Sequence, residues 1–422
     1  MTRMEAALGR RDHLSFKGNL THTRYGWLRL TPAYSIHLIA DLLPPSGKVL
    51  DPFCGTGTTA LVCAENGLAC DTTDINPFLI WLATAKARTY SERHLRAFAT
   101  AAAYVADHVR GHAEDSWTPA LFQIEKWWDA PTLGSLSRAM YAIRRREATD
   151  EVEVVDLLKV AFCRTMIERA NVSFGHQSMS FKKKEPTADL LPGDRNEIAV
   201  AWSAAARGIA RSASSPVAHT PRALYCDARD LAPLVSGAYA AVVTSPPYPN
   251  RMSYIRELRP YMYWLGYLSD GRAAGELDWQ AIGGTWGCAT SNVGKWSPPT
   301  ERRIPFDGFY TILDDIAQRS PLLSRYVHRY FYDMLFHVDG LLRVVAPGGQ
   351  VHYIVGNSKF YDVLLPVERI FADIFAAAGF ASPAVRVIRK RSSKKELFEY
   401  VVTATKPTAT TKRRQRAQRS LA

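Results

Sequence analysis

The 422-residue chain has no unbroken apolar run long enough to cross a bilayer, which takes about 20 residues. Its start, Met1 to Arg11, is charged and holds no apolar secretory core, so the chain is expected to stay in the cytoplasm. Cysteine is scarce. The six (Cys54, Cys63, Cys70, Cys163, Cys226 and Cys288) form no C-x-x-C pair and lie beside no histidine cluster. Reduced thiols are expected, with no disulfide framework and no metal. There is no internal repeat. Acid is in deficit, and the formal net charge is +13. Six of those charges sit in a tail without acids (Lys406, Lys412, Arg413, Arg414, Arg416, Arg419), which leaves the body near +7. A mildly basic body permits nucleic-acid binding without requiring it. The tail reads first as a solvated disordered end, with a nonspecific phosphate contact as the alternative. The length is too great for one small core and calls for a large domain with insertions, or for two domains.

What stands out is a short run, Ala241-Val-Val-Thr-Ser-Pro-Pro-Tyr-Pro-Asn250. It begins as a buried strand and stops at Pro246 and Pro247, which have no N–H and a fixed φ. Ser245 and Pro246, each followed by proline, are held extended. A stiff corner results, with acceptors (the Ser245 hydroxyl and backbone carbonyls) beside an aromatic plate, Tyr248. A flat ring carrying an exocyclic NH2 suits such a corner.

Earlier in the chain, a strand Lys48–Asp51 runs into Pro52-Phe-Cys-Gly-Thr-Gly-Thr-Thr59. A helix from Thr59 to Asn66 and a second strand, Leu68 to Thr73, follow, and Asp74-Ile-Asn-Pro77 closes a βαβ unit. Gly55-Thr-Gly57-Thr-Thr-Ala60 formally fits a dinucleotide fingerprint, with Asp74 near the ribose position. Asp51 argues for a different ligand. A carboxylate at the tip of the first strand repels a pyrophosphate and attracts an ammonium group. S-adenosylmethionine carries such an ammonium, a ribose for Asp74 and no phosphate.

From Ile80 to about Arg211 the periodicity is helical. That stretch runs into a polar loop, Asn171 to Lys184, ending in Lys182, Lys183 and Lys184, a composition suited to phosphate and base contacts as well as to plain solvation. The α/β pattern resumes with a strand Ala223–Cys226 and another tip carboxylate, Asp227, followed by Ala228. Residues 251–268 interleave Arg251, Arg256 and Arg259 with aromatics, as a nucleic-acid groove or a core stripe does. Residues 270–308 are rich in Gly and Trp and read as irregular. Ser297-Pro-Pro299 lacks a preceding apolar strand and a tyrosine, and is assigned no chemistry. A helix from Leu323 to Val344, a strand Val351–Gly356, a helix Val367–Ala378 and strands Val385–Arg389 and Phe398–Thr403 complete the pattern. The units expected are 1–90 (first half of the core), 91–215 (helical insertion), 216–264 (core with the proline corner), 265–322 (irregular insertion), 323–405 (second half of the core) and 406–422 (tail).

Asp-Pro-Phe-Cys-Gly-Thr-Gly-Thr-Thr followed by Thr-Ser-Pro-Pro-Tyr resembles the S-adenosylmethionine-dependent amino-methyltransferases of DNA, which methylate cytosine N4 or adenine N6. The serine form looks most like the cytosine-N4 branch. Serine and aspartate both accept hydrogen bonds, so physics alone leaves adenine open. The resemblance covers roughly 24–90 and 222–405. It implies a class I methyltransferase fold: α/β and Rossmann-like, with a mostly parallel seven-stranded sheet, a helical insertion and a DNA-recognition region. Whether 91–215 or 265–320 reads DNA stays open. By the same resemblance Asp51, Pro52, Phe53, Cys54, Gly55, Gly57 and Thr58 form the cofactor turn. Asp74, Ile75 and Asn76 face ribose and adenine, and Asp227 with Ala228 faces the adenine amine. The segment Tyr25 to Pro32 matches the family's amino-terminal cofactor motif loosely. Ser245, Pro246, Pro247 and Tyr248 would be catalytic. Arg251, Arg256 and Lys182–Lys184 are candidate DNA contacts. Double-stranded DNA is the implied partner, with a cognate restriction endonuclease as functional companion. An RNA or protein-amide methyltransferase and an inactive DNA-binding protein are the alternatives.

Overall fold

The computed structural model describes residues 24–28, 34–111, 115–173, 180–182, 195–391 and 396–408. Seven strands form the central sheet: β1 (Lys48–Asp51), β2 (Cys70–Asp74), β3 (Arg222–Tyr225), β4 (Tyr239–Thr244), β5 (Val345–Gly356), β6 (Ala381–Lys390) and β7 (Phe398–Thr405). Their order is β3-β2-β1-β4-β5-β7-β6. All pairings from β3 to β5 are parallel, and β7 runs antiparallel to both β5 and β6. The inner strands read as near-continuous apolar runs because both faces are covered. In β4, Ala241, Val242, Val243 and Thr244 are all buried.

One face of the sheet packs on helices α1 (Ile36–Leu42) and α2 (Thr58–Glu65), and the core there includes Ile39, Leu61, Val49 and Val243. Helix α2 is buried from Thr58 to Ala64, so its sequence carries no one-sided stripe. After β2 come α3 (Pro77–Ala87) and four more helices: α4 (Glu92–Arg110), α5 (Ala130–Glu147), α6 (Val152–Glu168) and α7 (Arg195–Ala213). These pack around Trp128, Phe162 and Trp202. The other sheet face carries a second core, built on Val242, Val351 and Tyr353 with the late helices α12 (Pro321–Val344) and α13 (Val367–Ala378). No helix among the described residues is long and apolar enough to cross a membrane.

Two expectations need correcting. The stretch read as irregular holds two helices, α9 (Gly271–Gln280) and α10 (Cys288–Lys295), and α11 (Phe309–Ala317) follows it, so the 265–322 insertion is substantially helical. Asp270 caps α9 through the Ala273 N–H at 2.8 Å, and Gly275 packs against Cys288. Capping and close packing override the low helix propensity of glycine that misled the periodicity. The tail, expected from residue 406, begins later. Lys406 exchanges backbone hydrogen bonds with Gly348 and Gly349, and its Nζ donates to the Val345 carbonyl at 2.7 Å. Residues 409–422, read as a disordered tail, lie outside the described residues.

The strand order reverses between β1 and β4. In an open α/β sheet, such a switch point leaves a crevice at the carboxyl ends of the flanking strands. Both sequence motifs end there.

Candidate active site

The turn after β1 is pinned by backbone and threonine bonds. The Cys54 N–H donates to the Thr73 carbonyl (2.8 Å), Gly57 N–H to the Cys54 carbonyl (2.8 Å) and Thr73 Oγ1 to the Pro52 carbonyl (3.1 Å). Gly57 has φ of 74°, and a Cβ there would stand 2.8 Å from the Cβ of Ala83, so glycine lets α3 close against the turn. Pro52, Cys54 and Thr58 are buried. Phe53 and Gly55 remain partly open, and the Phe53 ring rests edge-on against His337 at 4.8 Å.

Asp51 is fully buried and held from three sides. Thr244 Oγ1 donates to Oδ1 at 2.6 Å, Phe53 N–H to Oδ1 at 3.1 Å and Tyr34 Oη to Oδ2 at 3.2 Å. Burial pushes its carboxyl up to about 7, while those hydrogen bonds pull the other way. Asp74 Oδ2 accepts from the Gly55 N–H (3.2 Å) and Oδ1 from the Asn76 N–H (2.9 Å). Burial raises it to about 6. Ile75 is half-buried beside it, and Asn76 caps α3 by accepting from Phe78 N–H at 3.0 Å. Asp227 is chelated by Arg229, whose Nη2 approaches Oδ2 at 2.6 Å and whose backbone N–H donates to Oδ1 at 2.9 Å. The Ala228 carbonyl accepts from His337 Nδ1 at 2.7 Å, and His337 Nε2 faces the Tyr353 hydroxyl. Burial drops His337 to about 4, so it stays neutral.

At the end of β4, Ser245 Oγ donates to the Ile354 carbonyl at 3.0 Å. With its proton committed there, the hydroxyl's lone pairs remain as acceptors. The Pro247 carbonyl accepts from Tyr330 Oη at 2.7 Å, which ties the corner to α12. Pro246 is buried, and Tyr248 is partly exposed. A Cβ on Gly356 would fall 2.9 Å from the Tyr248 ring, so glycine at the end of β5 makes room for it. The two motifs meet directly. Thr244, one residue before Ser245, bonds Asp51, and Thr59 Oγ1 of the glycine-rich turn donates to the Val243 carbonyl at 3.2 Å.

Beyond the corner begins α8 (Tyr254–Trp264), where the structure sorts the interleaved cations and aromatics. Tyr261, Tyr263 and Trp264 are core, whereas Arg251 and Arg256 are exposed. These two arginines line a cleft of about 370 Å³ with Asn250, Thr285 and Trp286. Arg259 stacks between Trp127 (5.3 Å) and Trp286 (5.5 Å), joining the helical insertion to the cleft wall. Phe181, beside exposed Lys182, packs edge-on to Trp127 at 5.2 Å. Lys183 and Lys184 lie outside the described residues. The 265–322 insertion thus lines the cleft, and among the described residues the helical insertion reaches it only through Arg259. Of the Tyr25–Pro32 segment, Tyr25 is buried and donates to Glu65 Oε2 at 2.6 Å, and residues 29–33 lie outside the described residues. Tyr34, just past it, is the aromatic that reaches Asp51. Motif reading missed Tyr34, Thr244 and His337. Thr244 alone had a sequence signal, as the last residue of the strand before the corner.

This strand order, with a glycine-rich turn and a rigid proline corner meeting at its switch point, is that of the Rossmann-like class I methyltransferase fold. No family model matches the chain. Among curated proteins it is similar to the Type II methyltransferase M.AvaI from Nostoc sp. and from Anabaena variabilis, each 20% identical over 425 residues covering 92% of this chain and 85% of the relative. Among solved structures it matches the rRNA methyltransferase aviRa from Streptomyces viridochromogenes at 12% identity, covering 96% of this chain and 93% of that one, with a TM-score of 0.28. That superposition is too poor to carry an argument, and the strand order carries the fold.

Proposed function

We propose that the protein transfers a methyl group from S-adenosylmethionine to the exocyclic N4 of a cytosine extruded from duplex DNA. The observation that carries this reading is the direct bond between the two motifs, Thr244 Oγ1 to Asp51 Oδ1 at 2.6 Å. It joins buried Asp51 to the strand that ends in the proline corner, which supports an ammonium site beside an acceptor of amino protons. The donor set fits the cofactor: buried Asp51 for an ammonium, half-buried Asp74 for ribose hydroxyls, and a turn that is partly open at Phe53 and Gly55. When bound, S-adenosylmethionine supplies an electrophilic methyl on a sulfonium.

The rest is done by this chain's residues. Tyr248 stacks on the base, offsetting the few kcal/mol, roughly, that unstacking costs. Ser245 Oγ and the Pro246 carbonyl accept the two amino protons. Those bonds localise the nitrogen lone pair, which in cytosine is delocalised into the ring, and aim it at the methyl group. No covalent enzyme intermediate is needed, and buried Cys54 serves as packing. Arg251 and Arg256, exposed along the cleft, would meet phosphates. A modification role beside a restriction endonuclease follows from the family resemblance and agrees with the type II description of the curated relatives.

The test is to incubate the protein with tritium-labelled cofactor and, in parallel, duplex DNA, RNA and a protein extract. Label in DNA alone is expected. Label confined to RNA or protein would reject the reading.

A further inference from the structure

A partly buried cation stands at the catalytic tyrosine, and the mechanism above does not use it. Arg391 follows β6, and its guanidinium carbon lies over the Tyr248 ring, 5.5 Å from the centroid. Three features fix it there. Its backbone N–H donates to the Leu397 carbonyl at 2.8 Å, and its Nη1 donates to the Asn357 carbonyl at 3.0 Å. Asn357 is itself locked, giving Nδ2 to the Glu396 carbonyl (2.9 Å) and accepting Phe398 N–H (2.9 Å). Gly356 leaves room for both groups, since a Cβ there would sit 2.8 Å from Arg391 Nη1 and 2.9 Å from Tyr248 Cε2. The neighbouring carboxylate, Glu399, is paired with Arg389 at 2.6 Å. Among the described residues Arg391 has no acid partner, so Nε and Nη2 keep donors to offer.

The geometry points to Arg391 as the residue that reads the acceptor edge of the extruded base. A base stacked on Tyr248 would lie about 3.5 Å above the ring. The guanidinium carbon lies 5.5 Å from the centroid, farther than that stacking distance, and its Nη1 shares the space at Gly356 with Cε2 of the ring, so a base seated there would have its rim next to the fork. With the amino group held by Ser245 and Pro246, the adjoining edge of cytosine presents two acceptors, a ring nitrogen and a carbonyl. A forked guanidinium matches two adjacent acceptors, whereas adenine offers one ring nitrogen and a C–H. Arg391 therefore supplies the discrimination that serine at the first catalytic position cannot. This rests on the base-methylation reading above.

Unmethylated plasmid DNA is the probe, with full-length wild type, Arg391→Lys and Arg391→Gln. The wild-type product nucleoside is identified first. N6-methyladenine would overturn the cytosine reading and this assignment together. With N4-methylcytosine as product, kcat/KM, cofactor affinity and the salt dependence of plasmid binding are then measured for each variant. Both variants should lose roughly 10- to 100-fold in kcat/KM, with cofactor affinity and salt slope unchanged. Rescue by lysine, with a salt slope lowered by about one in Arg391→Gln, would make Arg391 a phosphate contact and overturn the assignment. Wild-type kcat/KM in both variants would overturn it while leaving the reaction intact. A substrate-side measurement guards against a misfolded variant. Replacing the target cytosine in the mapped site by its 3-deaza analogue, which lacks the ring acceptor, should slow the wild type at least about fivefold. In Arg391→Lys that penalty should vanish. An equal penalty in both, or none in the wild type, contradicts the proposal.

Discussion

Cofactor affinity should fall steeply on mild acidification, and the cause is Asp51. Burial places its carboxyl near 7 in the free protein. A bound ammonium favours the carboxylate, so binding lowers that pKa and expels a proton. Affinity should therefore rise with pH up to about 7 and then level. At pH 6, one unit below, about one Asp51 in ten is ionised, which predicts about tenfold weaker binding than the plateau. Asp74, near 6, adds about a further factor of two there if its ribose contacts need the carboxylate. Folding stability carries the opposite sign. The folded pKa lies above the unfolded value near 4, so the free protein loses stability as pH rises from about 4 to 7. Calorimetric titration with S-adenosylmethionine from pH 5.5 to 7.5, in buffers of different ionisation enthalpy, reads both the affinity and the proton released. Asp51→Asn should flatten the profile at low affinity. Equal wild-type affinity at pH 6 and 7.5, with no proton released, would refute the assignment of Asp51 to an ammonium.

Three further outcomes are expected. Tyr248→Ala should cut turnover by a hundredfold or more, on the order of 3 kcal/mol, while cofactor affinity stays within about twofold; equal loss of both would remove its stacking role. Gly57→Ala forces a side chain onto φ of 74° and against Ala83. It should cost about 1–3 kcal/mol by denaturant titration and weaken cofactor binding, and a neutral result would show that the turn tolerates a Cβ. Arg24, 1% exposed, donates to the carbonyls of Lys86, Arg88, Ala213 and Ser215, and so joins the ends of α3 and α7. Arg24→Ala strands those acceptors and should destabilise by roughly 3 kcal/mol or more; a change below about 1 kcal/mol would mean that water replaces the guanidinium.

The fold was legible where a strand or helix is stopped by its own sequence. Lys48–Asp51 and Val367–Ala378 carry their boundaries in the residues that stop them, Pro52 and Gly379. The meeting of the two motifs was legible only as an expectation, because a β1–β4 pairing joins residues nearly 200 positions apart and leaves no local trace. Tyr34 and His337 illustrate the same limit. Each matters through contacts between separate elements, Tyr34 to Asp51 and His337 to Ala228 and Tyr353, which no spacing rule reports. The 270–308 region misled for a different reason. Gly275 and Gly287 look like breakers, yet they are small so that α9 and α10 can touch. On α8, alternating cations and aromatics had two meanings at once: the aromatics Tyr261 and Trp264 face the core, and Arg256 faces the cleft.

In the proposed reaction a methyl donor held over the glycine-rich turn meets an amine gripped by the proline corner. Mass spectrometry of nucleosides from DNA methylated by the wild type and by Ser245→Ala tests it most directly. N4-methylcytosine is expected from the wild type, with a large loss of that same product from the variant. Abundant N4-methylcytosine from Ser245→Ala at the wild-type rate would contradict it.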